Sequence, residues 1–219
     1  LTLASAGLCL NGCGSPRDDS GPHTTYWRVA AAKREGAVVI YANTQRAALM
    51  VEGFHRRYPE IDIRYQNVTS NDIQRRVVSE TRPDQPRADI VWSSAMDIQI
   101  KLINDGYAST YRSPEVAALP SWANWRNQGY GISAEPVVFA YNSRDLPPDR
   151  VPRGHSDLLR LLRLHPADYR EKLTTFDAET SGIGFMYLSA DVQIYPDAWA
   201  LTTAIGQSHP GLYRTGGEM

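Results

Sequence analysis

Residues 37–42 read Ala-Val-Val-Ile-Tyr-Ala, and Asn43-Thr44-Gln45 follow them. Six residues without a charged break suit a strand buried on both faces, the habit of parallel sheets. Downstream of this strand, Ala47, Met50, Val51, Phe54 and Tyr58 recur at helical spacing until Pro59, and Ile61, Ile63 and Tyr65 then alternate as a short strand. Thr69, Ser70 and Asn71 offer N-caps to a helix carrying Ile73, Val77 and Val78. Residues 89–92 return as a strand, and a helix over 95–104 is closed by Gly106. Upstream, residues 26–35 predict a helix closed by Gly36. Strand and helix alternating this closely predict right-handed crossovers and a doubly wound α/β sheet.

Beyond this first lobe the texture changes. Residues 131–142 predict a long extended segment, and Pro147, Pro148 and Pro152 suit a crossing between lobes. A helix over 156–164 and a strand over 173–176 lead to Thr180-Ser181-Gly182-Ile183-Gly184, where another helix opens with Phe185, Leu188 and Val192 on one face. Pro196 and Gly206 frame a last helix through Trp199 and Ile205. Thr215-Gly216-Gly217-Glu218 has the spacing of a capping box, and either the match is accidental or a helix continues past Met219. The expected division is a leader and tether over 1–25, a first α/β lobe over 26–142 and a second, incomplete α/β lobe over 143–219.

With 219 residues, 42% hydrophobic, 21% charged and a net charge of -1, the chain is neither disordered nor collagen-like, and it lacks the basic excess of a nucleic-acid binder. Its two cysteines, Cys9 and Cys13, both fall in an apolar and small-residue stretch at the start. Leu10-Asn11-Gly12-Cys13 reads as the lipobox of a bacterial lipoprotein signal peptide, with Asn11 atypical and Cys13 the lipidated residue. The other readings of this stretch are a disordered leader or an amphipathic first helix.

In open α/β sheets ligands bind beyond the carboxyl ends of the strands, at loops that lead into helices. Thr44-Gln45, Ser93-Ser94 and Thr180-Ser181-Gly182 occupy such loops, and helix-start amides backed by hydroxyls suit a phosphate or carboxylate. The same residues also serve as plain N-caps. Catalytic patterns are missing: there is no Gly-x-Ser-x-Gly elbow, no His-Glu-x-x-His, no Walker loop, and no cysteine after Cys13. His23, His55, His155, His165 and His209 lack metal-ligand spacing and read as solvated side chains. No catalytic role, cofactor or metal is therefore expected. Asp89, Asp97, Asp177 and Glu179 are site groups by position only, and Tyr130, Tyr141 and Tyr195 could line a cleft.

The order Val38-Val39-Ile40-Tyr41-Ala42-Asn43, Phe54-His55-Arg56-Arg57-Tyr58-Pro59, Ala88-Asp89-Ile90-Val91-Trp92-Ser93-Ser94, Val137-Val138-Phe139-Ala140-Tyr141-Asn142 and Thr180-Ser181-Gly182-Ile183-Gly184 resembles the ferric-binding-protein-like solute-binding proteins of bacterial ABC importers. The resemblance implies a two-lobed periplasmic-binding-protein fold of type II, with the second lobe and hinge incomplete here. It also implies a monomer that closes on a small solute and delivers it to an inner-membrane ABC permease, with no nucleic acid as partner. Ferric members draw first-lobe ligands from positions that match Gln45 and Ser94, both neutral, so the resemblance favours a small anionic solute. Ferric iron and a sensory binding role are the alternatives. A lipid anchor through Cys13 would hold such a protein in the periplasm.

Overall fold

The elements from α1 (Pro22–Glu35) to the short β5 (Gly129–Tyr130) build the first lobe of the computed structural model. The structure describes residues 22–44, 47–80, 88–134 and 136–219. The apolar run at 37–42 is β1 (Ala37–Ala42), and it takes the central place of a parallel three-stranded sheet in the order β2-β1-β3. β2 (Asp62–Asn67) pairs along its whole length, with Ala37 opposite Asp62 and Ala42 opposite Asn67, and β3 (Ile90–Trp92) pairs on the other side, with Ile40 opposite Ile90. Tyr41 and Ala42 are buried while 37–40 are half-buried, so burial of β1 is complete only at the carboxyl end, where the helices converge.

Gly36 joins α1 to β1 at φ +80°, a left-handed turn that favours glycine, and its amide closes α1 on Ala32 O. α2 (Ala48–Arg57) connects β1 to β2, α3 (Ser70–Ser79) connects β2 to β3, and α4 (Met96–Asn104) follows β3. Thr69 is the N-cap of α3, its hydroxyl accepting from Asp72 N at 3.2 Å. The cap is therefore one residue, and Ser70 and Asn71 are left to face elsewhere. Ala95, Ile98 and Leu102 form a small core with Val77 and Ile183 packed on it. The hairpin of β4 (Asn124–Trp125) and β5 completes this part.

In the second lobe α5 (His155–Leu164), the short α6 (Pro166–Tyr169) and α8 (Ala198–Gln207) enclose a core of Leu158, Leu159, Leu161, Leu162, Tyr169 and Leu201. Beside it β6 (Thr174–Phe176) runs parallel to β7 (Gly211–Tyr213), and α7 (Gly182–Ile194) begins on the loop after β6. The fold is α/β and two-lobed, as the sequence predicts.

Three local expectations change. Among the described residues of 131–142 none is in a strand, and the apolar members Val137, Val138, Phe139 and Tyr141 are exposed; an extended apolar run becomes a strand only when a neighbour supplies the ladder of hydrogen bonds. The capping box at Thr215 opens no helix, yet its glutamate limb forms, Glu218 Oε2 accepting from Arg214 N at 3.0 Å and Thr215 N at 3.2 Å. His155 is not simply solvated: its Nε2 lies 2.9 Å from Asp191 Oδ1, and its ring contacts those of Phe139 and Tyr195. Cys9, Cys13 and residues 1–21 of the leader and tether lie outside the described residues, as does Gln45, while residues 22–25 open α1.

Candidate functional site

Asn43, the first residue past β1, gathers the first-lobe side of the site. Its Nδ2 donates to Ser70 Oγ at 2.9 Å and to Ser94 Oγ at 3.0 Å, and its Oδ1 accepts from Ser94 N at 3.3 Å. Ser70 Oγ lies 3.0 Å from Ser93 Oγ, which in turn accepts from Ala95 N at the start of α4. Loops after all three strands are thus tied into one neutral network at the carboxyl edge of the sheet, where the topology leaves helix starts facing outward. Ser70 is buried, Ser93 half-buried and Ser94 exposed, so the network runs from the core to the surface. Thr44 is half-buried beside it, with its carbonyl accepting from the Tyr65 hydroxyl.

The second lobe brings Thr180, Ser181 and Gly182 to the same place. Asp177, just past β6, shapes the loop by accepting from Glu179 N at 2.9 Å and from the Thr180 hydroxyl. Ser181 is buried and is the N-cap of α7, its Oγ accepting from Gly184 N at 3.3 Å. Asn71 Nδ2, next to the networked Ser70, donates to Thr180 O at 3.1 Å and bridges the lobes. Six of the seven expected ligand residues therefore stand at carboxyl ends of strands around one junction.

Electrostatics at the junction favour ionised carboxylates. Asp72 is held below its ordinary range first by the Thr69 hydroxyl, and further by Arg75 and Arg214. Asp177 is lowered first by the Thr180 hydroxyl, then by the backbone at Glu179 and Thr180, and by Arg214. Arg214 follows β7 directly and is exposed. Because Asp177 N donates to Tyr213 O at 2.9 Å, the backbone at 214 leaves the sheet alongside the loop that carries Ser181. Among the described residues no hydrogen bond occupies its guanidinium.

A cleft of about 380 Å³ opens beside the Asn71–Gly182 contact, lined among others by Asp97, Lys101 and Glu179. Asn71, Ser181 and Gly182 line this cleft too, and because Lys101 is bonded to Asp105 at 2.7 Å, Asp97 and Glu179 make the side of the cleft next to them acidic. Of the other expected groups, Asp89 accepts from Val39 N at 2.8 Å, Tyr130 receives Ser113 N and Tyr195 contacts His155, while Tyr141 is exposed. Sequence reasoning placed Asn43 in the candidate loop after β1 without singling it out, read Ser70 and Asn71 only as N-caps, and did not name Arg214. The signal for Ser70 and Asn71 was their place past β2, the same rule that found Asn43, Ser93 and Ser94.

Known protein-family profiles and curated proteins give no match to this chain. Among solved structures, the substrate-binding protein of an ABC transporter from Agrobacterium tumefaciens is 34% identical, with a TM-score of 0.77 over 83% of this chain and 54% of that one. Iron-bound HitA from Pseudomonas aeruginosa shares the fold at 17% identity and a TM-score of 0.66, covering 82% of this chain and 56% of its own. Trichodesmium IdiA (FutA), in complex with iron and citrate, shares it at 13% identity and 0.51, covering 79% of this chain and 53% of its own. The chain spans about half the length of each. Sequence and fold together make the chain similar to an ABC-transporter substrate-binding protein over 83% of its length, and the two iron-bound structures share its fold.

Proposed function

We propose that the chain is the ligand-binding part of a periplasmic solute-binding lipoprotein of an ABC importer, a monomeric binding protein rather than an enzyme. It captures a small anion, an organic phosphate or carboxylate, between its lobes and delivers it to an inner-membrane permease, while Cys13 carries the lipid anchor. The observation that carries this reading is the serine and asparagine network at the carboxyl ends of β1, β2 and β3, faced by the capped start of α7. Neutral hydroxyls and amides replace the water of an anion without bringing a repelling charge. The likeness to an ABC-transporter binding protein at 34% identity supports the transport role.

Ferric iron is the second reading, because HitA and IdiA are described with iron bound. Among the described residues no three His, Cys, Asp or Glu side chains come together, and a hydroxyl network suits a hard trivalent cation poorly unless an anion such as citrate accompanies it. Calorimetry of the 219-residue chain against phosphorylated sugars, phosphoglycerates, dicarboxylates and ferric citrate separates the two. The expected result is binding of an iron-free anion that weakens roughly ten- to a hundredfold in Ser94→Ala, the loss of one hydrogen bond to a charged group. Tight binding of ferric citrate alone, indifferent to Ser94, overturns it. A diacylated Cys13 peptide in the membrane fraction of the native host tests the anchor.

A further inference from the structure

The start of α7 packs so closely on α3 and α4 that a side chain at position 182 would have to displace the tips of Asn71 and Ile98. A Cβ built on Gly182 would lie 2.7 Å from Asn71 Oδ1, 2.7 Å from Ile98 Cδ1 and 3.6 Å from Ser70 Cβ. Its backbone is not in the left-handed region, since only Gly36 and Gly106 among the described glycines have positive φ. Space, and not torsion, is therefore what favours glycine here: a side chain would have to push aside the tips of Asn71 and Ile98. Two further contacts hold α7 against the first lobe. Asn71 Nδ2 donates to Thr180 O across 109 positions of sequence, and Ile183 packs on Ala95, Ile98 and Leu102. Ser70, one residue before Asn71, belongs to the serine network, so any movement of this turn of α3 moves the network with it.

We infer that Asn71 and Gly182 are a positioning pair that sets the width of the binding site: Asn71 ties the α7 start to the first lobe, and the missing side chain at 182 lets it come close. The inference rests on the reading of the site as an anion-binding one. It predicts that the spacing between the Ser70–Ser93–Ser94 network and Ser181, and with it the size of anion accepted, is governed from residue 182.

The test uses the 219-residue chain with Gly182→Ala, Gly182→Val, Asn71→Ala and the Asn71→Ala/Gly182→Ala pair. Amide exchange at the start of α7, measured without ligand, should speed up about tenfold or more in Gly182→Val, and less in Gly182→Ala. In the double variant the alanine at 182 should cost less than it does alone, because removing the Asn71 amide makes room for it. Calorimetry against inorganic phosphate, phosphoglycerate and citrate should show the order of preference shifting toward the larger anion in Gly182→Val. Ser70→Ala, by contrast, should weaken all three without reordering them. Unchanged exchange in Gly182→Val, additive costs in the double variant, or an unchanged order of preference overturns the inference. If the unsubstituted chain binds no anion, the reading of the site fails and the width argument with it, while the exchange data still decide whether the pair holds the lobes together.

Discussion

Arg214 brings a positive charge, with no hydrogen bond to its guanidinium among the described residues, to a junction that holds neutral serines and the ionised Asp72 and Asp177. Its field reaches Asp72 on α3 and Asp177 after β6, so it belongs to both lobes electrostatically. An anion arriving at Ser181 would meet it at the mouth. Arg214→Ala should weaken anion binding about tenfold, the worth of a charged hydrogen bond, and steepen no salt dependence of stability. Arg214→Lys should recover part of the loss because the charge remains while the planar fork is gone. Equal affinity of both variants and the unsubstituted chain would remove Arg214 from the site. At this scale the sequence was readable where one residue does one thing: Ser181 caps α7 as its position predicts. It was opaque where a neighbour took over the local duty. Thr69 caps α3, and only the fold reveals that Ser70 and Asn71 are thereby freed for contacts far along the chain.

At the scale of elements, α3 is the part through which stability and site geometry meet. Thr69 satisfies the Asp72 amide and also donates to the Asp72 carboxylate at 2.7 Å. Thr69→Ala should therefore cost about 1 kcal/mol of stability, as loss of an N-cap does, and lower the melting temperature by about 2–4 °C for a chain of this size. Thr69→Ser should restore most of it. No change in melting temperature would mean that the α3 start is held by its tertiary contacts alone. The strands β1, β2, β3 and β6 were legible because apolar periodicity is fixed by the chain itself. β7 was not, since Gly-Leu-Tyr is three residues long and becomes a strand only through its pairing with β6. The segment 131–142 shows the converse: its apolar pattern promises a strand, but strand formation is decided by a partner.

For the whole molecule, the junction between lobes makes a definite demand on pH. The native carboxyls of Asp72 and Asp177 titrate below their ordinary range, so the unfolded chain binds protons before the native one does. The stability they contribute is complete above the unfolded value, about 3.9, and is lost as pH falls through the depressed native values. The melting temperatures of Asp177→Asn and the unsubstituted chain should differ at pH 7 and converge as the pH drops below about 4. A gap that stays constant over that range would show that Asp177 gains nothing from its charge.

The bridge from Asn71 to Thr180 also has a consequence in time. It joins residues 109 positions apart, whereas the Leu158–Leu162 core and the β1–β2 pair close over far shorter stretches. Contacts of long sequence separation tend to form late, once local structure has reduced the loop that must be closed. The bridge should accordingly be absent from the rate-limiting barrier of folding. Asn71→Ala would then leave the refolding limb of a chevron plot unmoved and speed the unfolding limb by the whole of its destabilisation. The residue that sets the spacing of the lobes would thus set how long the native state lasts, and not how quickly it is reached.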